Sequence, residues 1–393
     1  MDELVLDVER LIWRGRALAR LDSGRVVLLQ PGVFPGERVL ARVTANKKDH
    51  VRAEWVEILD PSPRRRPHPC PLSDRCGGCR FGHLPQGEQL ELKRGLFLSE
   101  MRRSLGRKWA ELAPDQTEVY PSPAGWRYRW RGQVEVAHGT PHLKALGSNE
   151  LVPCPDCLLF SRPLAEGMRR LCGDLAPGRR TLAASPEDGS VGADGNHTPV
   201  LLPLPEYDLQ LMPLPGSFFQ ANWRLNQDLV RFVEKRTAGW NRVADLYAGA
   251  GNFALPCATS AGKVLALEQE PEAAEGAVQA AEARGLDNVR VRRMDLAAQD
   301  PADALADFEP EVLILDPPRA GGGKRLRSLL ALEDLQRLIW VSCDVVNTCR
   351  DLLPFLESGW RIRETALFDM FPQTWHMEAV FLLEPEQSGP GRQ

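Results

Sequence analysis

Asp245-Leu246-Tyr247-Ala248-Gly249-Ala250-Gly251-Asn252-Phe253 is the stretch that decides the fold. It follows a short apolar strand, Val243 to Tyr247, and opens a helix. Two glycines let the backbone approach a ligand closely at that helix N-terminus. Glu268 ends the next strand, Lys263 to Glu268, where an acid can grip a pair of ribose hydroxyls. The third glycine of the dinucleotide fingerprint is missing, because Ala254 follows Phe253, and this disfavours NAD. An Ala/Glu helix over 271–284 comes next, then apolar strands at Val289 to Arg292, Val312 to Leu315, Leu338 to Val341 and Met377 to Leu383. Strands alternating with helices predict a doubly wound parallel sheet.

Chemistry-bearing residues cluster where those strands end. Asp316-Pro317-Pro318-Arg319-Ala320-Gly321 follows one strand, and Val341-Ser342-Cys343-Asp344 closes another. Both fall at the carboxyl edge of the sheet, where such folds bind ligands. A single thiol there can serve as a nucleophile. Asp369-Met-Phe-Pro-Gln-Thr-Trp375-His376-Met377-Glu378 places an acid at the last strand, and Ser217-Phe218-Phe219-Gln220-Ala221-Asn222 precedes the sheet region. Taken singly, each fragment also reads as a buried Cys, a capping Asp or a core Gln.

The front of the chain is different. Residues 1–60 read as short strands punctuated by Gly and Pro, a small β-barrel pattern compatible with an OB-like module. The Pro-rich 61–69 is a linker, 85–112 and 158–172 are helices, 120–138 is strand, and 176–200 is loop. Cys70-x5-Cys76-Gly-Gly-Cys79, with Cys157 far downstream, has metal-ligand spacing. Four thiolates suit both zinc and an iron–sulfur cluster, and Cys154 rivals Cys157 as the fourth. Cys172, Cys257 and Cys349 have no partners in sequence and read as small apolar residues. With nine cysteines in 393 residues, a disulfide framework is not expected. Arg64, Arg65 and Arg66 follow the barrel, and Trp126-Arg-Tyr-Arg-Trp-Arg131 alternates rings with cations. Along a strand that alternation would put the arginines on one face and the rings on the other, suited to phosphates and stacked bases.

Charge and composition limit the remaining possibilities. The net charge is −4, with 43% hydrophobic and 26% charged residues, which excludes disordered, collagen-like and coiled-coil chains. Residues 1–150 carry 25 Lys+Arg against 19 Asp+Glu, and the remainder is acidic, so a polyanion handled by the front half is one reading and ordinary solvated surface the other. No apolar run reaches the ~18 residues of a membrane span, and the acidic start predicts no secretory signal. A cytoplasmic protein with no membrane partner is expected.

Together the motifs Phe-x-Gln-x-Asn (218–222), Asp-Leu-Tyr-x-Gly-x-Gly-Asn-Phe (245–253), Asp-Pro-Pro-Arg-Ala-Gly (316–321), Val-Ser-Cys (341–343) and Asp-Met-Phe-Pro-x-Thr-x-His-x-Glu (369–378) resemble the uracil-5 RNA methyltransferase family over essentially the whole chain. The resemblance implies an α/β class I (Rossmann-like) methyltransferase domain over 213–393. It also implies an N-terminal OB-like TRAM RNA-binding barrel over 1–60 and a small α+β iron–sulfur and RNA-binding central domain over 61–212. It implies Cys343 as nucleophile and Glu378 as base. Gln220, Tyr247, Gly249, Gly251, Asn252, Glu268, Asp295 and Asp316 fall where the family binds S-adenosylmethionine. Cys70, Cys76, Cys79 and Cys157 fall where one branch holds a [4Fe–4S] cluster. That branch acts on 23S ribosomal RNA, so rRNA is the expected partner, with tRNA the alternative and a monomer expected. A rival outside enzymology is an RNA-binding iron–sulfur protein without catalysis. An amino-group methyltransferase is an enzyme rival, since Asp-Pro-Pro-Arg resembles its Asp-Pro-Pro-Tyr site. The sequence departs from the family at Asp344-Val345, usually Asn-Pro, and at Trp375, usually a small residue.

Overall fold

The computed structural model describes residues 2–106 and 117–386. They divide into two compact units: residues 1–103, 144–152 and 371–377 form one, and residues 104–143, 153–370 and 378–393 form the other.

The first unit is built on a six-stranded sheet. Its spatial order is Glu3–Asp7, Arg38–Asn46, His50–Asp60, Val26–Leu29, Arg16–Arg20, Arg10–Ile12. All pairings are antiparallel except that of Val26–Leu29 with His50–Asp60. Register shifts in the long Arg38–Asn46/His50–Asp60 pair bend the sheet, as bulges do, and Glu3–Asp7 comes back into contact with Arg16–Arg20. Alternation puts Val27, Leu29, Val39, Ala41, Val51 and Ala53 in the core. The helix Gln86–Leu105 follows, inside the expected 85–112, of which residues 107–112 lie outside the described residues.

The second unit carries an eight-stranded sheet. Its order is Val289–Arg293, Lys263–Glu268, Arg242–Leu246, Val312–Leu315, Arg337–Ser342, Glu378–Pro385, Trp360–Phe368, Thr117–Tyr120. The first five run parallel, Glu378–Pro385 is antiparallel to both neighbours, and Thr117–Tyr120 pairs in parallel with Trp360–Phe368. The apolar strands are buried on both faces, as parallel sheets require: Val312 to Leu315 are all fully buried, as is Trp340. Helix Pro271–Arg284 lies against this sheet through Ala273, Ala277 and Ala280 and ends on Gly285 in the left-handed region. Tyr120 stacks on Phe368 with ring centroids 4.3 Å apart, a contact worth about 0.5–1.5 kcal/mol beyond its burial.

Three local expectations fail here. Residues 121–130 are irregular, not strand; the strand begins at Arg131. The alternating arginines therefore do not form an outward face. Arg127 has φ +58° and makes a bidentate pair with Asp156 at 2.6 and 2.8 Å, while Arg131 donates to the carbonyls of Ser217 and Gly216. Tyr128 is buried. These cations secure loops instead of projecting outward. The Gly- and Ser-rich 176–200 is not all loop, because Gly178–Ala184 and Val191–Ala193 pair antiparallel. The strand Trp360–Phe368 has no counterpart among the strands expected from the sequence. No helix among the described residues is long and apolar enough to cross a membrane.

Candidate active site

The strand Arg242–Leu246 stops at Tyr247, whose φ of +69° starts a tight turn that continues through Gly249 and Gly251, also at positive φ. Gly251 is required twice over. Its φ is +89°, and a Cβ there would lie 2.6 Å from Leu255 Cγ. Asp245 lies fully buried beneath the turn, its Oδ2 accepting the Ala254 N–H at 3.0 Å while Oδ1 has no partner among the described residues. Burial pushes its carboxyl well above the usual range.

Glu268 reaches the same turn from the neighbouring strand. Its Oε2 accepts the Gly249 N–H at 2.7 Å, and Oε1 accepts from Gln269 and Glu270. Asn252 exchanges hydrogen bonds with Asn226 at 2.7 and 3.2 Å. A narrow cleft opens here, lined by Phe218, Phe219, Gln220, Tyr247, Asn252 and Asp316 among others. Gln220 Nε2 donates to Asp316 Oδ2 at 3.4 Å. The structure thus brings together Gln220, Tyr247, Gly249, Asn252 and Asp316, with Glu268 joined through Gly249. Asp295 does not line the cleft. Its carboxylate caps its own loop through Ala297 and Ala298, although its charge still acts on Tyr247.

The second half of the site lies at the ends of the next strands. Cys343 follows the last residue of Arg337–Ser342 and is half-buried. The antiparallel register pairs Ser342 with Ala379, which sets Glu378 directly across from Cys343. Glu378 is 4% exposed, and its Oε2 has no hydrogen-bond partner among the described residues. Burial, with the Asp316 charge, raises its carboxyl far above the usual range, and Arg319 opposes that shift. Burial also pushes Asp316 up to about 7, against the Gln220 hydrogen bond. The Cys343 thiol is pushed up to about 12 by burial, then by Glu378 and Asp316, while the Arg319 charge pulls it back. A thiol, two carboxyls and one guanidinium therefore compete for charge in one small space, the pattern expected of a reacting centre.

Asp344, one of the two family departures beside the thiol, has an ordinary local role. It N-caps helix Val345–Glu357, accepting the Asn347 N–H at 3.2 Å. Trp375 packs edge-on against Trp13 and close to His376 inside the first unit. The part played by Arg319 is not evident from the sequence. The only signal is a cation three residues after a strand-end acid, which also fits a surface Arg.

The cysteine-rich loop is less complete. Cys70, Cys76 and Cys79 are half-buried in the first unit, where His68 Nδ1 accepts the Cys70 N–H at 3.0 Å. Cys154 and Cys157 are buried in the second unit, and the hydrogen bond from Cys154 brings the Cys157 thiol down to about 7. Among the described residues no group of three or more His, Cys, Asp or Glu side chains is placed to hold a metal ion. The three thiols of the first unit have the right chemistry for a cluster, but as placed they do not fit one.

Comparison with known proteins adds three findings. Residues 201–386 match the family model described as tRNA (Uracil-5-)-methyltransferase. The 23S rRNA (uracil(1939)-C(5))-methyltransferase RlmD of Pseudomonas fluorescens is 31% identical, covering 98% of this chain and 92% of that protein. Its counterpart from Chromohalobacter salexigens is 33% identical over 96% and 88%. The crystal structure of Pyrococcus abyssi tRNA (uracil-54, C5)-methyltransferase with S-adenosyl-L-homocysteine superposes with a TM-score of 0.73 at 22% identity, over 96% of this chain and all of that one.

Proposed function

Because the chain belongs to the RNA (uracil-5-)-methyltransferase family, we propose that it methylates C5 of a uridine in 23S ribosomal RNA through a covalent adduct on Cys343. The observation that carries the reading is the pairing of Cys343 with Glu378 across two strand ends, beside Asp316 and Arg319. Uracil C5 is a weak carbon nucleophile. A thiolate adding to C6 turns the ring into an enolate, and the C5 proton must later leave so that the thiolate can be expelled. Arg319 favours ionisation of Cys343, and the two carboxyls oppose it. Glu378, once ionised in its buried setting, is a stronger base than an exposed carboxylate and takes the C5 proton. S-adenosylmethionine, when bound, supplies the methyl group. Gln220, Tyr247, Gly249, Gly251, Asn252 and Glu268 form or shape the cleft that would hold it, and Asp316 lies between the cleft and the thiol. A uracil stacked in a duplex cannot reach such a site, so the target must be unpaired or flipped.

The relatives named for 23S rRNA match nearly the whole chain, which supports rRNA over tRNA as the substrate. The three-part organisation 1–60, 61–212 and 213–393 stands as a proposal, with the first part an OB-like TRAM barrel that contacts RNA. Its six-stranded curled sheet supports that reading. The cysteine spacing supports a [4Fe–4S] cluster on Cys70, Cys76, Cys79 and Cys157, whereas the placement of the first three thiols does not. No step of the reaction runs through it. An rRNA substrate would keep the enzyme in the cytoplasm.

Cys343→Ala tests the reading. It is expected to abolish methyl transfer to RNA while S-adenosylmethionine binding, measured by calorimetry, stays nearly intact. Near-normal turnover would instead favour amino-group methylation, which needs no thiol.

A further inference from the structure

We propose that Asn347 and Asp351 are positioning residues: they clamp the loop Arg319–Gly323 so that the Arg319 side chain stays against the Cys343 thiol. The inference rests on the reading of Cys343 as the reactive group. It begins from a difficulty in the sequence. Arg319-Ala320-Gly321-Gly322-Gly323 contains three consecutive glycines close behind the residue whose charge acts on the thiol. Such a segment loses more backbone entropy on ordering than any other of its length, so a fixed Arg319 needs an external hold.

Helix Val345–Glu357 provides one. Asn347, Arg350 and Asp351 fall at i, i+3 and i+4, hence on one face. Asn347 Nδ2 donates to the Arg319 carbonyl at 2.7 Å, and Arg350 Nη2 donates to the Ala320 carbonyl at 2.9 Å. Asp351 Oδ2 accepts the N–H of Gly322 at 2.9 Å and of Gly323 at 3.4 Å. Four backbone groups of a five-residue loop are thus bound by three side chains. Arg350 ties the clamp together by donating to Asp351 Oδ1 at 2.8 Å and to Asn347 Oδ1 at 3.1 Å. Gly321, at φ +84°, has no room for a side chain: a Cβ would lie 2.3 Å from Asp351 Oδ2. The helix itself starts from the Asp344 cap, next to the thiol. One rigid element therefore carries both the nucleophile at its start and the hold on the loop facing it, fixing their separation. Asp351 does not line the cleft, although its charge acts on Tyr247 there, and its hold on the thiol passes through Arg319.

Two readouts on the intact protein test this. The first is the kcat and KM for methyl transfer. The second is the rate at which iodoacetamide alkylates Cys343 at mildly alkaline pH without RNA, followed by peptide mass spectrometry. Asp351→Ala is expected to lower kcat by about 10²-fold, the cost of roughly 1 Å of misplacement. Cys343 alkylation should slow by about tenfold, because the thiolate loses its nearby cation. Asp351→Asn keeps an acceptor for the Gly322 N–H and should restore most of both. Asn347→Ala removes two hydrogen bonds at a half-buried site, so it folds even if Asp351→Ala does not, and it should shift both readouts in the same direction. Unchanged alkylation in Asp351→Ala and Asn347→Ala overturns the proposal, and so does an Asp351→Asn variant as impaired as Asp351→Ala. Because alkylation needs neither RNA nor methyl donor, it reports the clamp even if Cys343→Ala shows the covalent reading to be wrong.

Discussion

Glu378→Gln should trap the reaction midway while making the resting thiol more reactive. The two effects follow from different properties of one side chain. Gln has nearly the shape of Glu and can occupy the same 4% exposed position, but it cannot accept the C5 proton. Addition of Cys343 to C6 and methylation at C5 need no base at C5, so they proceed. Only the last step stalls, by the 10²–10⁴-fold, or about 3–5 kcal/mol, that a positioned general base contributes. At the same time the substitution removes a carboxyl that, where ionised, is the foremost charge opposing ionisation of Cys343, whose thiol is pushed up to about 12. Wherever Glu378 would have been ionised, its replacement by a neutral amide raises the thiolate population. The assay has two arms. Denaturing electrophoresis of enzyme with labelled RNA and methyl donor should show a slow band carrying the transferred methyl, absent in the Cys343→Ala, Glu378→Gln double variant. Iodoacetamide should alkylate Cys343 faster than in wild type at pH values where Glu378 is ionised. Normal release of methylated RNA without a slow band would assign the base elsewhere, and slower alkylation would contradict the charge balance described for the site.

Two further outcomes follow. The folded protein keeps the Asp316 proton up to about 7 whereas the unfolded chain loses it near 3.8, so this group weakens the fold as pH rises through that window and adds no further change above it; Asp316→Asn should gain stability relative to wild type from about pH 4 to about pH 7 in urea melts, and a difference independent of pH would refute the shifted carboxyl. Elemental analysis of protein purified without oxygen should find about four irons per chain if Cys70, Cys76, Cys79 and Cys157 hold a cluster, and protein lacking iron would refute that assignment.

The parts of this molecule that are legible in the sequence share one property: their pattern is local. The Asp245–Phe253 turn needs only its own glycines and flanking strand, and the apolar runs Val312 to Leu315 and Leu338 to Val341 are long enough to read as buried strands. Cys343, Asp316 and Glu378 each stand at a strand end, so their convergence follows from topology. What fails depends on distant partners. Trp126 to Arg131 alternates like a strand, but Arg127 sits in the left-handed region because Asp156, 29 residues on, holds it there. Trp360–Phe368 alternates weakly and is hidden by its charged residues. The clamp on Arg319–Gly323 cannot be read at all, because Asn347 and Asp351 look like ordinary polar residues of an exposed helix face until the loop lies beside them.

The strand Thr117–Tyr120 has a consequence for how the chain is made. Its hydroxyl contact between Thr117 and Thr365, at 2.7 Å, joins residues 248 positions apart. Closing so long a loop carries an entropy cost that must be met before the contact returns anything, and parallel pairings of this kind form slowly. On a translating ribosome, Thr117–Tyr120 emerges long before Trp360–Phe368 exists. Until then it is an unpaired segment, and Trp360–Phe368, once made, has one bare edge until the earlier strand arrives. Pairing at that edge therefore waits until Trp360–Phe368 has been made, and a nascent chain stalled before residue 360 would display an open strand suited to pairing with a neighbour.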